Sequence, residues 1–364
     1  MDKTITVALG QRSYDVRVGA GVLSELGRTI TELGEVSSVV VISDTTVGQL
    51  HGPRVMQLLG SAGLTVGSLS FPAGEASKTL ATYGELMDDL FSLSPAIDRQ
   101  SVIVALGGGV TGDLAGFVAA TALRGMRWVQ CPTTLLADVD ASVGGKTAVD
   151  HPTGKNLIGA FYQPKAVLID VETLTSLPRE QLSSGLAECV KHGVIRDAGL
   201  LAFISENADD ILACGSDTMI ELIARNVAIK AAVVSADERE SDQRAHLNFG
   251  HTIGHAIEVL VGYDAIPHGR AVSLGMVAAC RMAVERKLLP AADADPITAV
   301  LERLGLPVTC DALGPDDIWR IMQHDKKTRA GKVRMVLPSK VGHVEIYDDI
   351  TARDVRSSLR ALLP

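Results

Sequence analysis

The stretch "SVIVALGGGVTGDLAGF" (Ser101–Phe117) reads as a strand, a glycine turn and the opening of a helix in direct succession. Its first half is a near-continuous apolar run rich in β-branched residues, without polar alternation. Such a strand is buried on both faces, as in parallel sheets covered by helices on either side. Gly107, Gly109 and Gly112 then fit G-x-G-x-x-G, a spacing that lets backbone N–H groups approach a pyrophosphate at a helix N-terminus. The loop departs from the dinucleotide fingerprint in two ways. It does not follow the first strand, and no acid lies about 20 residues downstream to meet a ribose. Asp44, at the carboxyl end of "VVVIS", is an alternative ribose partner.

Outward from this stretch, the same grammar repeats. "SSVVVIS" (Ser37–Ser43), "LTVGSLSF" (Leu64–Phe71), "MRWVQCP" (Met126–Pro132) and "KAVLID" (Lys165–Asp170) read as strands, with helical stretches such as Leu80–Leu93 between several of them. From about Pro178 helical periodicity dominates: Arg179–Ile195, Leu200–Cys214, Asp217–Ala236, a segment around His251, and Arg270–Lys287. A late hairpin, Lys332–Tyr347, interrupts the helices. The expected organisation is an α/β domain over residues 1–177 and a mainly α-helical domain over residues 178–364.

Composition sets outer limits. A chain of 364 residues with 46% hydrophobic content holds enough material for two domains and a large core. A net charge of −9 argues against a general nucleic-acid surface, so an anionic ligand must be met by locally clustered Lys and Arg. No apolar run of about 18 residues is present, and "MDKTITVALG" lacks the apolar region of a signal peptide. The five cysteines (Cys131, Cys189, Cys214, Cys280, Cys310) are scattered and never spaced C-x-x-C. A reduced, cytoplasmic protein is the expectation.

Two further segments carry chemistry. "DVDASVGGKTAVDHPTGKN" (Asp138–Asn156) contains GGKT, but the first P-loop glycine would fall on Asp140, so Walker A fails. What remains is a polar, glycine-rich loop holding Lys146, Lys155 and Asn156, suited to a phosphate or carboxylate. In "NFGHTIGHAIE" (Asn248–Glu258), His251 and His255 stand one helical turn apart. Thr252 occupies the place of the glutamate that H-E-x-x-H requires, so metalloprotease chemistry is excluded. A catalytic zinc needs about three protein ligands. His251, His255, His268 and the carboxylate of Glu188, set in an apolar stretch, are the candidates. Lys191 and His192 follow Glu188 by one turn, and Lys230 and Arg244 add positive charge. Glu238, Arg239, Glu240 and Asp242 read as a solvated charge run.

At these residues the chain resembles 3-dehydroquinate synthase of the sugar-phosphate cyclase superfamily. The matching segments are "GEASKT", "LGGGVTGDLAGFVAATALRG", "PTTLLADVDASVGGKTAVDHPTGKNLIGAFYQP", "LPREQLSSGLAECVKHGVI", "LNFGHTIGHAIE" and "HGRAVSLGM", in order over about residues 74–277, with "HDKK" (His324–Lys327) beyond. The resemblance implies a Rossmann-like N-terminal domain binding NAD, a helical C-terminal domain holding one divalent ion, zinc or cobalt, and an active site in the cleft between them. It implies Glu188, His251 and His268 as metal ligands, with His255 facing the substrate instead. NAD contacts are implied for Asp44, Glu75, Lys78, Gly108, Gly109, Asp113, Thr133, Thr134, Lys146 and Lys155, with Thr173 to Ser176 near the adenine. Substrate contacts are implied for Asp140, Lys146, Asn156, Lys191, Lys230, Arg244, Asn248 and Lys326, and Arg124 is implied to reach across a homodimer interface to the substrate phosphate. Cys189 and Thr46 depart from common family residues without touching the ligand set.

The implied reaction belongs to the shikimate pathway. 3-Deoxy-D-arabino-heptulosonate 7-phosphate is oxidised transiently by NAD, loses phosphate by β-elimination, is reduced again, and closes to 3-dehydroquinate by an intramolecular aldol step. Sister cyclases making 2-deoxy-scyllo-inosose or 2-epi-5-epi-valiolone would share nearly every motif, and a metal- and NAD-dependent polyol dehydrogenase would share the architecture.

Overall fold

The computed structural model describes residues 1–238, 243–262, 265–310, 314–324, 333–360 and 362. Two compact units emerge: Met1–Leu177 with Met219–Ser235, and Pro178–Thr218 with Ala236–Pro364.

The first unit contains strands β1 (Lys3–Val7), β2 (Tyr14–Gly19), β3 (Val39–Asp44), β4 (Val66–Phe71), β5 (Val102–Gly107), β6 (Arg127–Pro132), a separate hairpin of β7 (Lys146–His151) and β8 (Gly154–Phe161), and β9 (Ala166–Asp170). Helices α1 (Leu26–Thr31), α2 (Thr45–Ser61), α3 (Leu80–Phe91) and α4 (Gly109–Thr121) lie between them in sequence. The main sheet has the order β1-β2-β9-β6-β5-β3-β4. It is parallel except where β1 pairs antiparallel with β2. The apolar strands are two-sided, as their composition predicts. Val40, Ile42, Ile103 and Ala105 pack with Leu86, Leu90, Leu114 and Val118 on one face. Val39, Val41, Val102 and Val104 pack with Leu26, Ile30, Val55 and Leu59 on the other. Consecutive residues of one strand thus feed opposite cores. Strand β3 is flanked by β4 and β5, so the connection reverses direction there. In open α/β sheets that reversal opens a crevice at the carboxyl ends of the strands.

Two local expectations change. The glycine-rich segment from Asp138 to Asn156 is not a loop. It begins in a π-helical turn, Ala137–Ala141, and continues into the antiparallel β7–β8 hairpin. Its glycines and lysines conceal the strand pattern because β8 is largely exposed, with only Ile158 and Ala160 packed against the core. The stretch Met219–Ser235, expected in the helical part, groups with the first unit. Lys3 pairs with Glu221 at 2.7 Å, and Ser235 Oγ accepts from the Ala8 N–H at 3.2 Å.

The second unit is built from α5 (Arg179–Arg196), α6 (Ala198–Glu206), α7 (Ala208–Leu212), the first turn of α8 (Ser216–Ala236), α9 (His251–Val261), α10 (His268–Glu285), α11 (Ala291–Arg303) and α12 (Pro315–His324). A ribbon of β10 (Met335–Lys340) and β11 (His343–Tyr347) and the helix α13 (Ala352–Arg360) complete it. The single helix expected over Leu200–Cys214 is broken at Asn207, whose side-chain amide donates to the Phe203 carbonyl at 2.9 Å and ends α6. Among the described residues no helix is long and apolar enough to cross a membrane.

Close approach of α5, α9 and α10 depends on missing side chains. A Cβ on Gly275 of α10 would stand 1.9 Å from the Gly250 carbonyl oxygen before α9, and one on Gly269 would stand 2.1 Å from the Ser184 carbonyl oxygen of α5. The Gly269 N–H also donates to Ser184 Oγ at 2.9 Å. These contacts bring the start of α10, and His268 with it, against both other helices.

Candidate functional site

In the first unit the polar candidates gather at the carboxyl ends of the parallel strands. Asp44 ends β3 and caps α2, accepting from the N–H groups of Thr46 and Val47 at 2.9 and 3.0 Å. Its other oxygen accepts from Thr111 Oγ1 at 3.4 Å, in the first turn of α4. Gly108 precedes α4 and abuts Thr134, where an added Cβ would meet Thr134 Cγ2 at 3.0 Å. The glycines thus sit in the strand–turn–helix setting that a phosphate cradle requires. Thr173 and Ser176 follow β9, and Ser176 Oγ lies 3.0 Å from His51 Nε2.

Three of the lysine ion pairs among the described residues of this unit involve candidate residues. Lys78, buried to 5% exposure, pairs with Asp113 and donates to Asn156 Oδ1. Burial pulls its pKa down, but the Asp113 and Glu75 carboxylates outweigh that and hold it above the usual lysine value. Lys155 pairs with Glu75 at 3.2 Å. Lys230, on α8, is held by both the carboxylate and the backbone carbonyl of Asp140, on the π-helical turn. Asn156 has a positive φ of 57°, and its N–H donates to Asp150 Oδ1 at 2.7 Å. Lys146 opens β7 and is exposed. Arg124 is exposed on a turn in which Leu123, Arg124 and Gly125 have φ of 49°, 65° and 121° in succession.

The second unit assembles a different chemistry. Glu188 of α5 is fully buried, and among the described residues neither carboxylate oxygen accepts a hydrogen bond of good geometry. Oε2 faces the ammonium of Lys191, itself 1% exposed. Oε1 lies 3.4 Å from His251 Nε2 and 3.8 Å from His268 Nε2. Tetrahedral ligands with bonds of about 2.0–2.2 Å stand roughly 3.3–3.6 Å apart; the His251 contact lies within that range and the His268 contact slightly beyond it. The remaining nitrogens are engaged as well. His251 Nδ1 lies 3.1 Å from the Phe249 carbonyl, and His268 Nδ1 lies 3.1 Å from Glu258 Oε1. Donation from each Nδ1 leaves the Nε2 lone pair for an ion. Burial disfavours the charged form of His268, but the hydrogen bond and charge of Glu258 outweigh it and hold its pKa above the usual imidazole value.

His255 joins the cluster, its ring centroid 5.4 Å from that of His251 and 5.8 Å from that of His268. All three imidazoles offer nitrogens within 4.8 Å of one another. Arg244 is 2% exposed, its backbone N–H near Asp237 Oδ2 at 3.3 Å and its guanidinium on the Glu238 carbonyl at 2.7 Å. Asn248 ends the 3-10 turn Gln243–Asn248 that precedes α9. Lys326 lies outside the described residues.

Two residues escape the sequence reading. Glu258 stands seven positions after His251 on the same face of α9, a spacing that could have flagged it. Asp138, on the π-helical turn, is fully buried, and neither of its carboxyl oxygens has a hydrogen-bond partner among the described residues. Nothing in the local pattern marks it.

Comparison with known proteins bears on both units. Residues 68–184 match the family model of the 3-dehydroquinate synthase N-terminal domain, and residues 185–328 that of its C-terminal domain. A 3-dehydroquinate synthase of Desulforamulus reducens is 46% identical over 357 residues, covering 98% of this chain and 99% of the relative. Among solved structures, a 2-deoxy-scyllo-inosose synthase complexed with carbaglucose-6-phosphate, NAD+ and Co2+ is similar at a TM-score of 0.89 and 28% identity, over 99% of this chain and 100% of the other. A 2-epi-5-epi-valiolone synthase of Streptomyces hygroscopicus subsp. jinggangensis, with NAD+ and Zn2+ bound, is similar at 0.87 and 27%, over 98% of both chains. With both family models matched in tandem, and near-complete coverage at 46% identity, the chain belongs to the 3-dehydroquinate synthase family.

Proposed function

We propose that this chain is the cyclising lyase that converts 3-deoxy-D-arabino-heptulosonate 7-phosphate into 3-dehydroquinate and phosphate, using NAD and one divalent metal ion, and that it works as a homodimer. The observation that carries the reading is the buried Glu188 carboxylate with two imidazole nitrogens 3.4 and 3.8 Å from one of its oxygens. Identity supports the choice of substrate: 46% to a 3-dehydroquinate synthase, against 27–28% to the two sister cyclases.

Glu188, His251 and His268 would hold the cation, which supplies Lewis-acid polarisation of a substrate hydroxyl, while bound NAD supplies a hydride acceptor that later returns it. The protein's own part is positioning and charge. Lys146, Asn156, Arg244 and Lys326 are assigned to the phosphate, and Lys191 and Lys230 to the carboxylate and ring hydroxyls. Asp140 fixes the Lys230 ammonium before any ligand arrives, which reduces the ordering cost of binding. Asn248 and His255 are assigned to the substrate side. The NAD contacts are assigned to Asp44, Glu75, Lys78, Gly108, Gly109, Asp113, Thr133, Thr134, Lys146, Lys155, Thr173 and Ser176, most of them at the strand ends described above. Arg124 is assigned to the partner subunit's substrate phosphate. Its positive φ of 65°, in a non-glycine residue, marks a backbone held in an uncommon conformation, a device that clusters at functional sites.

The test is incubation with the heptulosonate phosphate, NAD and Zn2+ or Co2+, following phosphate and product. One phosphate per 3-dehydroquinate, without accumulating NADH, is expected. Turnover only of a non-carboxylated sugar phosphate would reassign the chain to a sister activity, and steady NADH formation would make it a dehydrogenase.

A further inference from the structure

We infer that Glu258 is a positioning residue that sets His268 for the cation through a hydrogen bond to its Nδ1. The inference rests on the metal seat proposed above and extends it to a residue outside the ligand set. Glu258 is 4% exposed on α9, so its carboxylate has little water to solvate it. Its Oε1 lies 3.1 Å from His268 Nδ1, across the α9–α10 contact. Its Oε2 lies 4.0 Å from His255 Nε2. A single carboxylate therefore stands beside two of the three clustered imidazoles.

The geometry explains why an acid is buried there. His268 is the first residue of α10, with no preceding helical turn to restrict its ring. Its side chain is 32% exposed, against 11% for His251. The His251 ring is held from within its own segment by the Phe249 carbonyl. Among the described residues, His268 Nδ1 is met by the α9 carboxylate instead. Acceptance from Nδ1–H makes Nε2 the free lone pair and fixes its direction toward Glu188. Such outer partners usually contribute a factor of about 10 to 100 in metal affinity.

Two substitutions separate the hydrogen bond from packing. In Glu258→Gln the amide oxygen can still accept from Nδ1, while Glu258→Leu fills nearly the same volume and accepts nothing. Zn2+ dissociation constants would be measured on the purified full chain, without substrate or NAD, by competition with a chromogenic chelator. Folding of each variant would be checked by circular dichroism. The expected result is that Glu258→Leu binds roughly 10- to 100-fold more weakly than the unsubstituted chain, and that Glu258→Gln recovers most of that loss. The visible spectrum of bound Co2+ should also change more in Glu258→Leu than in Glu258→Gln. A folded Glu258→Leu with unchanged Zn2+ affinity would overturn the inference. So would a folded Glu258→Gln as weak as the leucine variant, since the acceptor would then not be what matters. If the unsubstituted chain itself bound no Zn2+, the metal seat would fall first.

Discussion

Asp138 offers a test specific to the interior of this chain. It is fully buried on the π-helical turn that also carries Asp140, and its carboxyl group has no hydrogen-bond partner among the described residues. Burial, and then the negative charge of Asp170, push its pKa well above the usual carboxylate range. Asp170 is itself fully buried and accepts from the N–H groups of Gly21, Leu23 and Glu172 at 2.8, 3.4 and 3.2 Å. The folded chain therefore keeps a proton that the unfolded chain releases near pH 4. Protons bound only in the folded state make stability fall as pH rises, by about 1.4 kcal/mol per pH unit, from the unfolded pKa until the folded pKa is reached. Asp138→Asn keeps the shape and removes the titration. Relative to the unsubstituted chain it should be near neutral at pH 4 and gain about 1.4 kcal/mol for each pH unit above that, within the interval where Asp138 stays protonated. Urea titrations of both proteins from pH 4 to 8, read by tryptophan fluorescence, measure the difference directly. A difference that stays flat across that range would mean that Asp138 is ionised when folded, and the reasoning would be wrong. Turnover should survive, because the carboxylate that holds Lys230 belongs to Asp140.

The other predictions concern the second unit. His268→Ala should lose bound Zn2+ by elemental analysis while keeping its circular dichroism spectrum, and unchanged zinc content would remove His268 from the ligand set. Arg244→Ala should keep its metal and weaken binding of the phosphosugar by roughly 10- to 100-fold, the value of about 1.5–3 kcal/mol for a charge-assisted hydrogen bond. Isothermal titration with the substrate in the absence of NAD would check it, and unaltered affinity would refute it. Gly269→Ala would force a Cβ to 2.1 Å from the Ser184 carbonyl oxygen, so α5 and α10 must separate. A loss of about 1–3 kcal/mol in urea stability is expected, together with weaker Zn2+ binding, because Glu188 and His268 ride on those two helices.

What the residues alone determined is the part governed by local periodicity. The apolar runs at Val39–Asp44, Val102–Gly107, Arg127–Pro132 and Ala166–Asp170 are strands buried on both faces, and that burial leaves a mark at each position. The long helices from Arg179 onward were legible for the same reason; the assignment of Glu188, His251 and His268 to a cation came instead from the resemblance to a family. The β7–β8 hairpin was not, because an exposed, glycine-rich strand buries too little to impose a pattern. Nor was the break at Asn207, where the side-chain amide joins the backbone N–H on the Phe203 carbonyl at the end of α6. Tertiary structure alone decided the rest: that Met219–Ser235 groups with the first unit, that Asp138 is sealed without a hydrogen-bond partner among the described residues, and that Glu258 meets His268. Each of these depends on which element faces which across a contact, and where α5, α9 and α10 meet that contact is set by glycines whose missing Cβ atoms let backbones touch. A one-dimensional pattern records whether a residue is buried; the identity of its neighbour exists only once the chain has packed.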